Sequence, residues 1–394
     1  MGKVLEGIRV LDFGRYIAGP FCATLLGDFG AEVIRIESVK GSADRYTSPL
    51  CEAGDGALFM AVGRGKLGMT LNAGSPEGRE IVQALIATAD IVVVNQPEEI
   101  LEAMGLDHES LKEIKPDIIL ANATAFGTTG PYAERLGFDG SAQAMSGAMD
   151  LTGYEDEPMR SLANYADFST AGFTAMGVLA ALLERNKTGR GQKVEGNLLA
   201  SALTCVSSLM VEQGVVRPDR KAQGNRSPQV APGDAYATND GWIFVMCVGD
   251  PLFRRWAGLM GETHWLEDAR FADDQSRGDH GEIISERMAL WCAERSNAGA
   301  LSELEAARIP AGPVFTLQDA LDDEHVREAG WVRDVDYPGL PRPATIPDTP
   351  VRLSETPAVI ERRAPMLGEH TDGILAGLGY SEARISELRE KGII

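Results

Sequence analysis

Residues 7–37, GIRVLDFGRYIAGPFCATLLGDFGAEVIRIE, decide the fold. Gly7–Phe13 is a short apolar run between glycines, the pattern of a buried strand. The loop GRYIAGP follows. Pro20 suits the first position of a helix, and FCATLLGDFG fits a short helix that ends near Gly30. Glu32–Glu37, EVIRIE, reads as a second strand. Strand, loop, helix and strand in so short a span make a βαβ unit. Its crossover returns the chain to the same edge of the sheet, so the sheet is parallel and the fold class is α/β.

The same alternation continues outward. PEGREIVQALIATAD (76–90) is an amphipathic helix, Ile91–Asn95 a strand and EEILEAMG (98–105) a short helix. Asp117–Gly127 is a strand that runs into a glycine-rich loop. A long apolar helix is expected over Thr170–Asn186. A turn, a short strand and another helix follow in 188–210. The character changes after residue 215: VVRPDRKAQGNRSPQVAPGDAY (215–236) is polar and rich in Pro and Gly. The expected layout is therefore a Rossmann-like large domain over 1–215, a linker over 216–235 and a smaller α+β domain over 236–335. A Pro-rich return linker over 336–355 and C-terminal helices over 356–394 complete it.

Composition narrows the function. The chain has 394 residues and a net charge of -21, which disfavours nucleic acid and anionic membranes as partners but leaves small phosphate-bearing ligands open. No uncharged apolar run is long enough to suggest a membrane span. The N-terminus does not read as a signal peptide. Cys22, Cys51, Cys205, Cys247 and Cys292 are scattered without a CxxC pair, as expected of reduced thiols in a cytoplasmic protein. The histidines show no metal-binding spacing, so no metal is expected.

A dinucleotide site would need GxGxxG after the first strand, and the loop there is GRYIAGP. Glu37 stands where a ribose-binding acid would lie, but without the phosphate loop it reads as a surface acid. Arg35, Lys40, Arg45, Arg64 and Lys66 leave local phosphate binding open. Arg64 and Lys66 sit among glycines in AVGRGKLGMTL (61–71), where the backbone can approach a ligand; a solvated turn explains the same residues.

Asp167, in ANYADFSTAG (163–172), is a lone acid among small residues at the expected start of a long apolar helix. Asp167, Ser169 or Thr170 would serve as its N-cap, a purely structural role. The same place also suits chemistry. Helix N–H groups would keep the carboxylate ionised and could hold an oxyanion beside it. Such a carboxylate can attack an activated acyl group.

With these stretches in view, the chain resembles the class III CoA-transferases, the CaiB/BaiF family, over nearly its full length. The resemblance rests on 7–37, GRGKLGMTL (63–71), ADIVVVNQPEEILEAMGL (89–106) and TAFGTTGPYAERLGFDGSAQAMSGAMDLTG (124–153). It continues through NYADFSTAGFTAMGVLAALLERNKTGRGQKV (164–194), IPAGPV (309–314) and PMLGEHTDGILAGLGYS (365–381). The resemblance implies an interlocked-ring homodimer whose large domain is built from both chain ends. It implies that acyl-CoA and a carboxylic acid are substrates and that no cofactor is tightly bound. The family's catalytic aspartate falls on Asp167. Its CoA-contacting positions fall on Ile17, Ala18, Val62, Arg64, Lys66, Asn95, Gln96, Pro97, Phe138 and Asp139. The implied route passes through an aspartyl mixed anhydride and an aspartyl-CoA thioester.

Departures from the family pattern shape the expectations. Ala103 and Ser38 stand where many members carry arginine. Ile17 replaces the glutamine of the oxalate-using members, and SPQVAPGD (227–234) replaces their glycine run, so a bulkier or less polar acid than oxalate is expected. Specificity is expected from Ser227–Tyr236, Tyr16, Ile17 and Phe138. The racemases of the same superfamily place a histidine at the position of Phe138, which disfavours two-base racemisation here. The alternatives are an α-methylacyl-CoA racemase using another base and a non-catalytic acyl-CoA-binding dimer.

Overall fold

The computed structural model describes residues 2–394. In chain order its first elements are β1 (Arg9–Asp12), α1 (Ala18–Asp28), β2 (Glu32–Glu37), α2 (Ala57–Val62), β3 (Leu67–Thr70) and α3 (Pro76–Thr88). Then come β4 (Ile91–Val94), α4 (Glu98–Met104), α5 (His108–Ile114), β5 (Ile119–Thr124) and α6 (Asp139–Met145). They are followed by β6 (Gly153–Tyr154), β7 (Glu157–Pro158), α7 (Tyr165–Thr188), β8 (Lys193–Asn197), α8 (Leu198–Cys205), α9 (Ser207–Val216) and β9 (Gln223–Gly224).

Six parallel strands form one sheet in the order β3-β2-β1-β4-β5-β8. Successive side chains of a strand point to opposite faces, so a sheet covered on both faces needs continuous apolar strands. In β4, Val92 and Val94 join Leu85, Leu111 and Leu375 on one face, while Ile91 and Val93 join Leu26, Ala171 and Val178 on the other. All four β4 side chains are at most 1% exposed. Burying them stabilises the fold by roughly 6–12 kcal/mol in transfer terms. The first face is closed by α3, α5 and the C-terminal helices Thr371–Gly377 and Glu382–Glu390; the second is closed by α1 and α7.

The chain divides into two compact units. One holds the described residues up to Ser146, together with Leu162–Ser207 and Glu324–Ile394. The other holds Gly147–Ser161 and Ser208–Asp323. The second unit contains an antiparallel sheet of Gly233–Ala237, Trp242–Met246 and Ala311–Pro313. Its core includes Phe253, Trp256, Phe271, Ile284 and Met288.

Several local expectations are corrected. The helix after β1 starts at Ala18, which places Pro20 third in it. That position still needs no intrahelical N–H bond. β3 and α2 were not expected; β3 is four residues with a glycine inside, and such a strand carries almost no periodic signal. The expected linker 216–235 contains β9, which pairs with β6, and Ala344–Pro347 in the expected return linker forms a hairpin with Val332–Val335 at the end of the expected small domain. α7 starts at Tyr165, five residues before the expected Thr170. By length and hydropathy α7 could cross a bilayer, but it carries Asp167 and Glu184 and packs on α1, β5 and β8 as a core helix.

Candidate active site

The strand order reverses direction between β1 and β4. β2 and β3 extend the sheet to one side of β1, while β4, β5 and β8 extend it to the other. At such a switch point the loops leaving the carboxyl ends of adjacent strands diverge and open a crevice for ligands. The loop after β1 carries Gly14–Ile17 and the loop after β4 carries Asn95–Pro97.

These two loops are tied together. Asn95 Oδ1 accepts from the Arg15 N–H at 2.9 Å, and Asn95 Nδ2 donates to the Arg15 carbonyl at 2.6 Å. The next residue, Tyr16, has φ 61°, a left-handed conformation that costs energy for a non-glycine residue. Its ring meets Phe138 edge-on, with centroids 5.4 Å apart. Phe138 remains 61% exposed, whereas Ile17 and Ala18 are buried. The Gln96 carbonyl accepts from Asn122 Nδ2 at 3.2 Å, and Pro97 precedes the first turn of α4.

Below this loop lies a buried charge network. Asp12, at the end of β1, accepts from Lys66 Nζ at 2.8 Å and from the Gly14 N–H at 2.9 Å, and faces Arg35 at 3.5 Å. Burial pushes the Asp12 carboxyl up, but Lys66 and Arg35 outweigh it and hold the group below its ordinary value. Lys66 also donates to the Pro20 carbonyl at 2.6 Å, in the first turn of α1. Arg64 pairs with Asp28 at 2.7 Å. Neither the free phosphate-binding reading nor the solvated-turn reading of Arg64 and Lys66 holds for their side chains, which are at most 2% exposed and already paired. Val62 is buried as well. Glu37 is not a surface acid: it is 3% exposed, and its oxygens hold Arg45 at 3.1 and 2.6 Å.

Asp167 lies in the first turn of α7, three residues after the N-cap Asn164, whose side chain makes no capping bond. The expected cap by Asp167, Ser169 or Thr170 is corrected: the cap comes from Asp139. Asp139 Oδ2 accepts from the Ala166 N–H at 2.9 Å and the Asp167 N–H at 3.1 Å, while Oδ1 accepts from Gln143 Nε2. Asp139 is 3% exposed, so its carboxylate is buried and committed to these internal bonds. A cap reaching across 28 residues of chain leaves no local sequence signal. The helix N–H groups expected to hold an oxyanion are those that Asp139 occupies.

The Asp167 carboxylate is half-buried and has no hydrogen bond among the described residues. Burial pushes it up, the neighbouring Asp139 charge pushes it further, and it reaches about 7. The expectation of full ionisation at neutral pH is therefore corrected. Around this turn, Ala18, Ala123, Ala142, Ala166, Leu198 and Ala202 form a cluster of small side chains that joins the start of α1, the end of β5, α6 and α8. Phe21 of α1 meets Phe168 edge-on at 4.9 Å. The structure thus brings Ala18, Asp139 and Asp167 to one place and sets Ile17, Asn95, Gln96 and Pro97 on the switch-point loops beside it. Tyr236, expected to help specificity, is instead 2% exposed within the second unit's core, near Ser285. Among the described residues no group of His, Cys, Asp and Glu could hold a metal. All five cysteines are free; Cys22, Cys247 and Cys292 are buried, and Cys205 is exposed.

Comparison with known proteins gives a consistent result. Residues 5–371 match the family model described as CoA-transferase family III. The chain is 35% identical to the succinyl-CoA–L-malate CoA-transferase beta subunit of Chloroflexus aurantiacus, over 99% of this chain and 98% of that one. It is 32% identical to the succinyl-CoA–D-citramalate CoA-transferase of the same organism, over 100% and 98%. Its fold superposes on the crystal structure of a CaiB/BaiF family protein from Brucella suis with a TM-score of 0.84, at 33% identity over 96% of this chain and 100% of that one.

Proposed function

The chain belongs to CoA-transferase family III, an enzyme that moves CoA between an acyl-CoA and a carboxylic acid, and on that premise we propose that Asp167 carries the acyl group. The supporting observation is a half-buried carboxylate with no hydrogen bond of its own among the described residues, pushed up to about 7 and set beside a cluster of mostly small side chains.

A carboxylate oxygen of Asp167 attacks the donor thioester carbonyl. The C–S bond breaks, CoA thiolate departs and a mixed anhydride forms. The thiolate then attacks Cγ of Asp167 and expels the donor acid, leaving an aspartyl-CoA thioester. The acceptor carboxylate attacks that same carbon and expels the thiolate, forming a second anhydride. Finally the thiolate takes the acceptor acyl group, and Asp167 leaves as carboxylate. Each step exchanges one anionic leaving group for another, so no ATP is needed. Water must be kept out, because both acyl-enzyme forms hydrolyse.

CoA is placed along the switch-point crevice, against Ile17, Ala18, Asn95, Gln96, Pro97 and Phe138. Val62, Arg64, Lys66 and Asp139 act beneath it by holding the loops in place. The phosphates then fall to exposed cations. Arg15 sits on the crevice loop and Lys40 follows β2; neither has a carboxylate partner among the described residues. Arg15→Ala should raise KM for acyl-CoA about tenfold, the size of one lost charge-assisted bond, with kcat nearly unchanged. A rise in neither KM nor its salt dependence would remove Arg15 from the site.

The second copy of the chain is the proposed partner, in the interlocked arrangement. α7 exposes Phe168, Phe173, Met176 and Leu183, apolar side chains that a second copy would cover. Beside it lies an apolar cavity of about 840 Å³, lined by Phe21, Leu25, Phe29, Met176, Leu179 and Val351 among others. The cytoplasm, where acyl-CoA is available and thiols stay reduced, is the proposed compartment.

The names of the relatives make succinyl-CoA the first donor to test, with short dicarboxylic acids as acceptors. The protein incubated with succinyl-CoA and hydroxylamine should carry an aspartyl hydroxamate at Asp167. Asp167→Ala should fold, bind CoA and turn over nothing. Normal turnover by that variant ends the proposal. Racemisation would need a base where Phe138 packs on Tyr16, and deuterium uptake into an acyl-CoA without an acceptor acid would reveal it.

A further inference from the structure

A helix start ordinarily offers its free N–H groups to whatever anion lies nearest. An acid in the third position, as Asp167 is, ordinarily turns back to take one of them. Here that does not happen. Asp139, from the start of α6, occupies the Ala166 and Asp167 N–H groups with one oxygen and Gln143 with the other. The Asn164 side chain, which would usually do this work, makes no capping bond. The positive end of α7 is thereby satisfied by a carboxylate that does not react, and the carboxylate that does react is left bare.

We propose that Asp139 is a positioning residue for the transfer: it fixes the first turn of α7 and occupies its donors, so that Asp167 stands unbonded beside a like charge with its lone pairs free for a thioester carbonyl. This rests on the reading of Asp167 as the nucleophile. The surroundings support it. The elements packed on this turn present small apolar side chains: Ala18 from α1, Ala123 from β5, Ala142 from α6, and Leu198 and Ala202 from α8. The ionisable groups nearby are Asp139, Tyr165 and Cys205. Of these only Asp139 acts on Asp167, while Cys205 and Asp139 act on Tyr165. Burial and the Asp139 charge both push the Asp167 carboxyl the same way.

A carboxylate that only caps a helix would matter for its hydrogen bonds and not for its charge. Asp139→Asn separates the two: its amide oxygen still accepts both helix N–H groups, Gln143 must turn its amide so that Oε1 accepts from the new Nδ2, and the charge is gone. With [γ-¹³C]aspartate-labelled protein, the Asp167 resonance is the one missing from Asp167→Asn. Its titration midpoint should lie near 7 in the wild type. In Asp139→Asn it should fall by about one pH unit or more. Formation of the hydroxylamine-trapped acyl-enzyme should slow at pH 8 in that variant, with KM for acyl-CoA unchanged. An unchanged midpoint and unchanged trapping rate in a folded Asp139→Asn would overturn the proposal. The titration needs no turnover, so it reports on Asp139 even if Asp167→Ala proves active and the nucleophile is reassigned. Asp139→Glu, which keeps the charge but displaces the cap, should restore the midpoint without restoring the rate.

Discussion

Asp167 illustrates how a residue can be conspicuous in sequence while its working state is not. Its isolation among small residues marks it at once, and the family resemblance assigns it a role. Its protonation depends first on burial and then on the charge of Asp139, which is distant in sequence. The same limit hid Glu37, Arg64 and Lys66: an acid or base reads as surface until the structure reveals a buried partner. Two expectations follow at this scale. Donor acyl transfer should rise with pH through about 7 and level off above it, because the reacting form is the carboxylate. A flat profile between pH 5 and 9, with chemistry rate-limiting, would contradict this. The stability effect has the opposite sign. Asp167 is raised from 3.8 unfolded to about 7 folded, so its ionisation destabilises the native state progressively over that interval and by a constant amount above it. Asp167→Asn should therefore be more stable than the wild type at pH 8, by up to about 4 kcal/mol, and no more stable below pH ~4. Urea unfolding at the two pH values measures the difference.

The elements were legible where periodicity was strong. β4 is a continuous apolar run, β1, β2 and β5 each carry a short apolar stretch, and α3 repeats its buried positions at helical spacing. The start of α7 was misplaced because its cap is remote and Ala163–Ala166 carries no apolar stripe. β8 was expected as a strand, but not how closely α7 lies on it. That closeness depends on Gly196, where a Cβ would stand 2.1 Å from Thr174 Oγ1 and 3.3 Å from Thr170 Cγ2. Both threonines are buried, and Thr170 also bonds Ser201 at 2.8 Å. Gly196→Ala should therefore push α7 off the sheet, at a cost of about 1–3 kcal/mol. It should also lower turnover without altering any residue that touches substrate. A melting temperature and kcat equal to wild type would show that the helix yields freely.

At the scale of the molecule, the α/β class and its parallel sheet were readable from the first thirty-seven residues, because a βαβ unit admits few topologies. The boundaries of the two units were not, since Gly147–Ser161 joins the second unit through pairing of β6 with β9 rather than through any local signal. The buried ion pairs beneath the crevice loop belong to this scale as well. Lys66→Met leaves Asp12 short of one cation and removes the tie to Pro20, and should cost about 3–5 kcal/mol. The proposed interlocked pair predicts that tagged and untagged subunits mixed under native conditions form no hybrid, while joint unfolding and refolding yields them. Rapid native exchange would exclude threading. The core of the first unit has a further consequence. Leu11, Ile34, Val92 and Leu120 share one apolar cluster with Leu375, Ile385, Leu388 and Ile394. During synthesis, at about 5–20 residues per second, the ribosome takes roughly 10–50 s to deliver those last side chains after β5 has emerged. For that interval the part of this face that α3 and α5 do not cover stays greasy and open, so production in a host should depend on chaperone capacity and on slow, cool expression.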